Sequence, residues 1–181
     1  MTVRLKIVLF LFFGISFGFV QENIKVNLNF ILEQGDRIPG FFGQDVGKRK
    51  ELLEQCTVFS PLDYYHSHQP IEGFYGLSRK ALVRTKWILT PLFAVVFWWV
   101  NSSVLVILFK DRNWRKWLAI AYALLFGLGF SIYVVGKFAG IPEATYAVSR
   151  KITGGLQSLI PLMIMVPARY LYLRMQSNQS L

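Results

Sequence analysis

Four uncharged apolar blocks punctuate the chain, and the stretches between them hold nearly all of its charge. The first block, 7–20, follows the basic residues Arg4 and Lys6. As a helix it would extend about 21 Å, short of the roughly 30 Å hydrocarbon core of a bilayer. A basic start before a short apolar run also fits a signal peptide. Its best small-x-small stretch, Ser16-Phe17-Gly18, runs into bulky Phe19 and Val20, which favours an uncleaved signal anchor over 1–22. The second block, 87–109, is the longest. The third covers 117–135, and the fourth covers 152–168 and ends against Arg169. Each of these three is long enough to cross a membrane with little tilt. The pattern predicts an all-α integral membrane protein with four transmembrane helices. A long, partly structured extracytoplasmic segment, 23–86, separates the first helix from a three-helix membrane domain over 87–174. A short cytoplasmic tail, 175–181, follows.

The long segment carries weaker signals. Ile24, Val26, Leu28 and Phe30 alternate with Lys25, Asn27 and Asn29, the period of a strand, while Leu28, Ile31 and Leu32 sit at helical spacing. Both conformations are open for 23–33. Gly35, Pro39, Gly40, Gly43 and Gly47 then predict a break in regular structure. Asp45 is placed to cap a helix over 46–56. Ser60-Pro61-Leu62-Asp63 predicts a brief helix over 61–66, with a capping residue followed by proline at the first helical position. Ser78 could cap a helix that runs on into the second span, where Pro91 would kink it.

Composition agrees with the membrane reading. Of 181 residues, 54% are hydrophobic and 17% charged, against about 25% charged in soluble domains. The mean hydropathy is +0.41. A soluble enzyme, a disordered tail and a disulfide-framed secreted domain are all excluded, the last because Cys56 is the single cysteine. The net charge of +10 is spread over the flanks of the apolar blocks and is not gathered on one face. That placement suits membrane anchoring and argues against nucleic acid as a partner.

Orientation rests on where those flanking charges fall. Lys110, Arg112, Arg115 and Lys116 crowd a seven-residue connection that belongs in the cytoplasm. Arg4, Lys6, Arg169 and Arg174 fall on the same side, and seven basic residues lie on the other. The first helix usually sets the orientation, and a long segment such as 21–86 translocates largely regardless of its charge. Both termini are therefore expected in the cytoplasm, with the segment outside, in a bacterial inner membrane.

Candidate chemistry is thin. His66 and His68, near Asp63 and Glu72, lack regular metal-ligand spacing, so ordinary loop histidines are expected and no metal or cofactor is. Cys56 has no readable geometry to either histidine. Within the spans, Ala119, Ala123, Gly127 and Ser131 recur every four residues and predict a helix-packing seam. Asn101 is an amide in an apolar run and should face another helix, as should Gln157. Counting from the span ends puts Gln157 and Ser131 at one level near the outer surface, with Asn101 deeper, level with Tyr122 to Phe126. Trp98 and Trp99 lie near mid-bilayer and need acceptors for their indole N–H groups, and Pro161 and Pro167 should bend the fourth span and free backbone carbonyls. The spans hold no carboxylate or histidine, which argues against a pump. Arg79, Lys80, Arg84 and Lys86 before the second span, with Arg150 and Lys151 opening the fourth, should form an outer basic collar that contacts lipid or an anionic partner.

The order of elements resembles the exosortase F system-associated family of small membrane proteins of Bacteroidota. The likeness rests on the short anchor, Pro61-Leu62-Asp63-Tyr64-Tyr65, Asn101-Ser102, and Leu108-Phe109-Lys110-Asp111 with its basic turn. It ends with Ser149-Arg150-Lys151-Ile152, which opens a proline-containing last helix that reaches Tyr170 and Tyr172. It covers about two-thirds of the chain, with 33–58 standing as an insertion. The resemblance implies a non-catalytic accessory subunit in the sorting or anchoring of surface proteins. Its expected partners are membrane lipids and other integral membrane proteins, an exosortase among them. Two alternatives stand beside it. One is a structural subunit of a respiratory or secretion complex. The other is an outer-face enzyme that holds lipid-linked phosphate with Arg79, Arg84, Arg150 and Lys151.

Overall fold

A computed structural model describes residues 2–56 and 71–179, and every regular element among them is helical. The elements are α1 (Val3–Arg37), a 3-10 turn (Phe41–Gly43), α2 (Val46–Cys56) and a second 3-10 turn (Glu72–Phe74). Then follow α3 (Arg79–Phe109), α4 (Asn113–Phe138), α5 (Pro142–Leu156) and α6 (Ile160–Gln179). Helices α1, α3 and α4 are long and apolar enough to cross a membrane, and α5 with α6 adds a bent pair of the same character. The short helix expected over 61–66 and the pair His66 and His68 lie outside the described residues.

The chain divides into two compact units. One, the segment unit, covers Phe19–Leu92, and the other, the bundle unit, joins Met1–Gly18 to Phe93–Leu181. In the segment unit, 23–33 is helical and continues α1 without a break. Helical spacing prevails because Leu28 and Ile31, one turn apart, both enter the core beside Phe41, Leu53, Tyr75 and Leu82. A strand would have sent them to opposite faces. Gly35 does not break the chain as expected but lies inside α1. A Cβ there would come within 2.6 Å of the Phe42 ring and 2.8 Å of Phe41, so glycine lets the following turn fold back onto the helix. The chain reverses at Gly40, whose φ of 72° favours glycine. The Asp45 carboxylate accepts from Lys48 N at 3.0 Å and caps α2. The Ser78 hydroxyl accepts from Ala81 N at 3.3 Å and caps α3, which runs unbroken through Pro91.

In the bundle unit, the start of α1 packs antiparallel on α3 through aromatic rings. Phe17 meets Phe93 and Phe97, each at 5.7 Å, and Phe10 meets Trp99 at 5.3 Å. Val104, Leu105, Leu118, Tyr122, Leu156 and Leu162 form the core. Helices α4 and α5 make an antiparallel hairpin that turns at Gly140, with a φ of 74°. Their seam is drawn tight by Gly129 and Gly136. A Cβ on Gly129 would meet Thr153 Cγ2 at 3.5 Å and Ser149 O at 3.6 Å, and one on Gly136 would overlap the Thr145 side chain.

The expected fourth span, 152–168, is not one helix. Helix α5 begins ten residues earlier, at Pro142, and ends at Leu156, and α6 leaves at 64°. Three local causes converge on 154–161. Gly154 and Gly155 weaken the helix. The Ser158 hydroxyl donates to Gly155 O at 2.7 Å and accepts from Ile160 N at 3.1 Å, competing with the helical pattern. Pro161 has no N–H to donate back across the break, and it is tolerated because it stands in the first turn of α6.

Candidate functional site

The break is fastened by one amide. Asn101, fully buried on α3, donates from Nδ2 to the Tyr122 hydroxyl at 2.8 Å and to the backbone carbonyl of Ser158 at 2.9 Å. One side chain thus ties α3, α4 and the freed backbone of the α5–α6 break together. The amide finds helix partners as expected, and Tyr122 lies at its level as counted. The level assigned to Gln157 is corrected. Gln157 is buried at the break, next to the Ser158 carbonyl that Asn101 holds, and it is not level with Ser131. The cause is the early start of α5, which carries the chain inward before Gln157 is reached.

The seam expected from Ala119, Ala123, Gly127 and Ser131 is also corrected for the isolated chain. Ala123, Gly127 and Ser131 are exposed, Ala119 is half-buried, and a Cβ on Gly127 would meet nothing within 4 Å. The close approach lies on another face of α4, at Gly129 and Gly136, because Thr145, Ser149 and Thr153 present small side chains there one turn apart. Those threonines and the serine were the missed signal. Each β-hydroxyl can satisfy itself against its own helix, as Thr153 does by donating to Ser149 O at 3.0 Å, so a polar residue costs little at the contact. Of the two indoles, Trp98 donates to Arg115 O at 3.3 Å, whereas Trp99 packs edge-on against Phe10 and Phe13.

The basic residues divide between the units. In the segment unit, Arg79 forks onto Asp36, with Nε and Nη2 donating at 2.7 and 2.8 Å to its two carboxylate oxygens. Lys86 donates to Asn29 Oδ1 at 2.7 Å, while Lys80 and Arg84 are exposed. In the bundle unit, Arg150 and Lys151 are exposed on α5. They stand eight and nine residues into that helix and do not open a span. Arg79, engaged by Asp36, is poorly placed to grip phosphate.

Sequence patterning missed one densely bonded side chain. Arg49 on α2 is buried in the segment unit and donates to four backbone carbonyls. The acceptors are Gln44 O at 2.9 Å, Tyr75 O at 2.8 Å, Leu77 O at 3.0 Å and Phe42 O at 2.5 Å. Phe41 and Phe42 lie under its guanidinium at 5.9 and 6.0 Å. It satisfies the irregular backbone on both sides of α2, where no regular structure would. A second tie crosses the same unit, because Ile71 N donates to Asn27 Oδ1 at 3.2 Å. Burial, with Glu54 and Glu72 near, pushes the Tyr75 phenol above its ordinary range.

No group of three or more histidine, cysteine, aspartate or glutamate side chains is placed to hold a metal among the described residues. The chain matches no family model, no curated protein and no solved structure.

Proposed function

We propose that the chain is a non-catalytic accessory subunit of a membrane complex, and that, as its resemblance implies, the complex sorts or anchors surface proteins beside an exosortase. The observation that carries this reading is what the buried polar groups do. Asn101 on α3 donates to Tyr122 on α4 and to the Ser158 carbonyl in the α5–α6 break, which fastens a broken span. Groups that pass a substrate or proton would line a path instead.

The bent pair counts as one crossing in this reading. Thr145 lies beside Gly136 near one end of α4, and Tyr170 lies 5.9 Å from Phe109, at the opposite end of the bundle. With α1, α3 and α4 this makes four crossings. The charges of the bundle unit support cytoplasmic termini. One end holds Arg4, Lys6, Lys110, Arg112, Arg115, Lys116, Arg169 and Arg174 against the single acid Asp111. The other holds Lys137, Arg150 and Lys151 against Glu143. The excess at the first end fits the inner face of a bacterial inner membrane. The 79–86 cluster belongs to a nearly neutral unit and weighs little against it.

The specific setting is tested by deleting the chain and following a surface protein that bears a C-terminal sorting tag. Accumulation of the unprocessed, unanchored form is the expected result. Unchanged processing and anchoring would reject the exosortase setting.

A further inference from the structure

Helix α5 carries two exposed cations level with the apolar stretch of α4. The hairpin contacts fix its register against α4, since Gly129 meets Ser149 and Thr153, and Arg150 and Lys151 lie between those two. Gly129 in turn lies inside the apolar stretch 117–135, six residues from its end, which is about 9 Å at 1.5 Å per residue. The two cations are therefore level with apolar side chains such as Leu128 and Phe130, both exposed.

Neither cation has a partner among the described residues. The bundle unit has two acids. Asp111 is at its opposite end, where it accepts from Asn113 N, and Glu143 stands seven residues before Arg150, about 10 Å along the helix. Side chains on α5 tilt back toward Pro142, so both cations can snorkel toward the boundary. Headgroup phosphates lie outside the hydrocarbon, in a layer roughly 5 Å or more thick on each side. Reaching them would take the full length of the side chain and local thinning of the bilayer as well. A carboxylate held within the membrane asks for neither.

We propose that Arg150 and Lys151 form the docking site for a partner membrane protein, which presents an aspartate or glutamate on a transmembrane helix about two turns inside the boundary. The site rests on the subunit reading above and assigns that subunit its contact face. Arg150 is the grip, because its planar fork takes a carboxylate bidentately, and Lys151 adds charge without that geometry. The pair is what stands out on the exposed side of α5, whose other side is closed by α4.

A photo-crosslinking residue at Ala147, exposed and one turn before the cations, tests this in native membranes with the full chain. The expected result is one protein adduct whose crosslinked helix contains an acid. The adduct should fall roughly tenfold or more in Arg150→Gln with Lys151→Gln. It should weaken in Arg150→Lys, which keeps the charge and loses the fork, and return when Arg150→Asp is combined with the acid-to-lysine change in the partner. Because both side chains are exposed, the variants should keep the wild-type melting temperature in detergent, so that loss of the adduct reports docking. Adducts to lipid alone, or a protein adduct indifferent to charge removal, would overturn the site. If a second polypeptide still co-purifies in fixed ratio in those cases, the subunit reading stands without it. A chain that co-purifies with nothing would overturn both.

Discussion

Arg49 and Asn101 are both buried polar side chains that organise backbone, yet only one of them could be recognised beforehand. Asn101 is an amide in a run of apolar residues, and its need for a partner follows from that setting alone. Arg49 sits in Lys48-Arg49-Lys50, which has the pattern of a solvated basic face, and nothing local separates it from its neighbours. Its role comes from carbonyls up to 28 residues away, brought near by the fold of the whole segment. Methionine at 49 would keep the packing stem and take the donor from one buried and three partly buried carbonyls. Arg49→Met should therefore destabilise the segment unit by about 3 kcal/mol or more, since hydrogen bonds to charged groups contribute roughly 1.5–3 kcal/mol each. Chemical denaturation in detergent, followed by limited proteolysis between residues 37 and 79, would measure this. Stability within about 0.5 kcal/mol of wild type would remove Arg49 from its assigned place.

The first part of α1, together with α3 and α4, was legible because long uncharged runs leave few alternatives, whereas the stretch 23–33 of α1 fitted strand and helix alike. The starts of α2 and α3 were marked by Asp45 and Ser78. The α5–α6 break was half legible. Pro161 announced freed carbonyls, but Gly154, Gly155 and Ser158 also fit an ordinary small-residue packing face, so the 64° bend was hidden. The seam on α4 was misplaced for a related reason. Small residues occur on two faces, 119–131 and 129–136, and only the position of α5 decides which of them is closed. Two alanine substitutions separate these faces. Gly136→Ala drives a Cβ into Thr145 and should force α4 and α5 apart, lowering the melting temperature in detergent by several degrees. Gly127→Ala meets open space and gains helix propensity, worth up to about 1 kcal/mol, so the purified chain should be unchanged or slightly more stable. Equal effects at the two glycines would contradict the register of the hairpin.

The two units differ in charge as well as in composition. The segment holds nine basic and eight acidic residues, whereas the bundle concentrates its basic excess at one end. A count along the chain alone hides that asymmetry, because it pools Arg79, Lys80, Arg84 and Lys86 with Arg150 and Lys151. Once 79–86 is assigned to the segment unit, where Arg79 is matched to Asp36, the positive-inside rule gives a clearer answer. In a Cys56→Ser background, an impermeant thiol reagent should label Gly43→Cys in intact spheroplasts and Arg112→Cys only after lysis. The reverse pattern would invert the protein in the membrane. Above orientation stands the proposal that this chain works as part of something larger. Native mass spectrometry of the full chain, released from its own membrane in mild detergent, tests that most directly. The account predicts a species heavier than the 20.9 kDa chain that contains it and a second membrane polypeptide in fixed ratio. A lone 20.9 kDa species, or assemblies of this chain only, would contradict it.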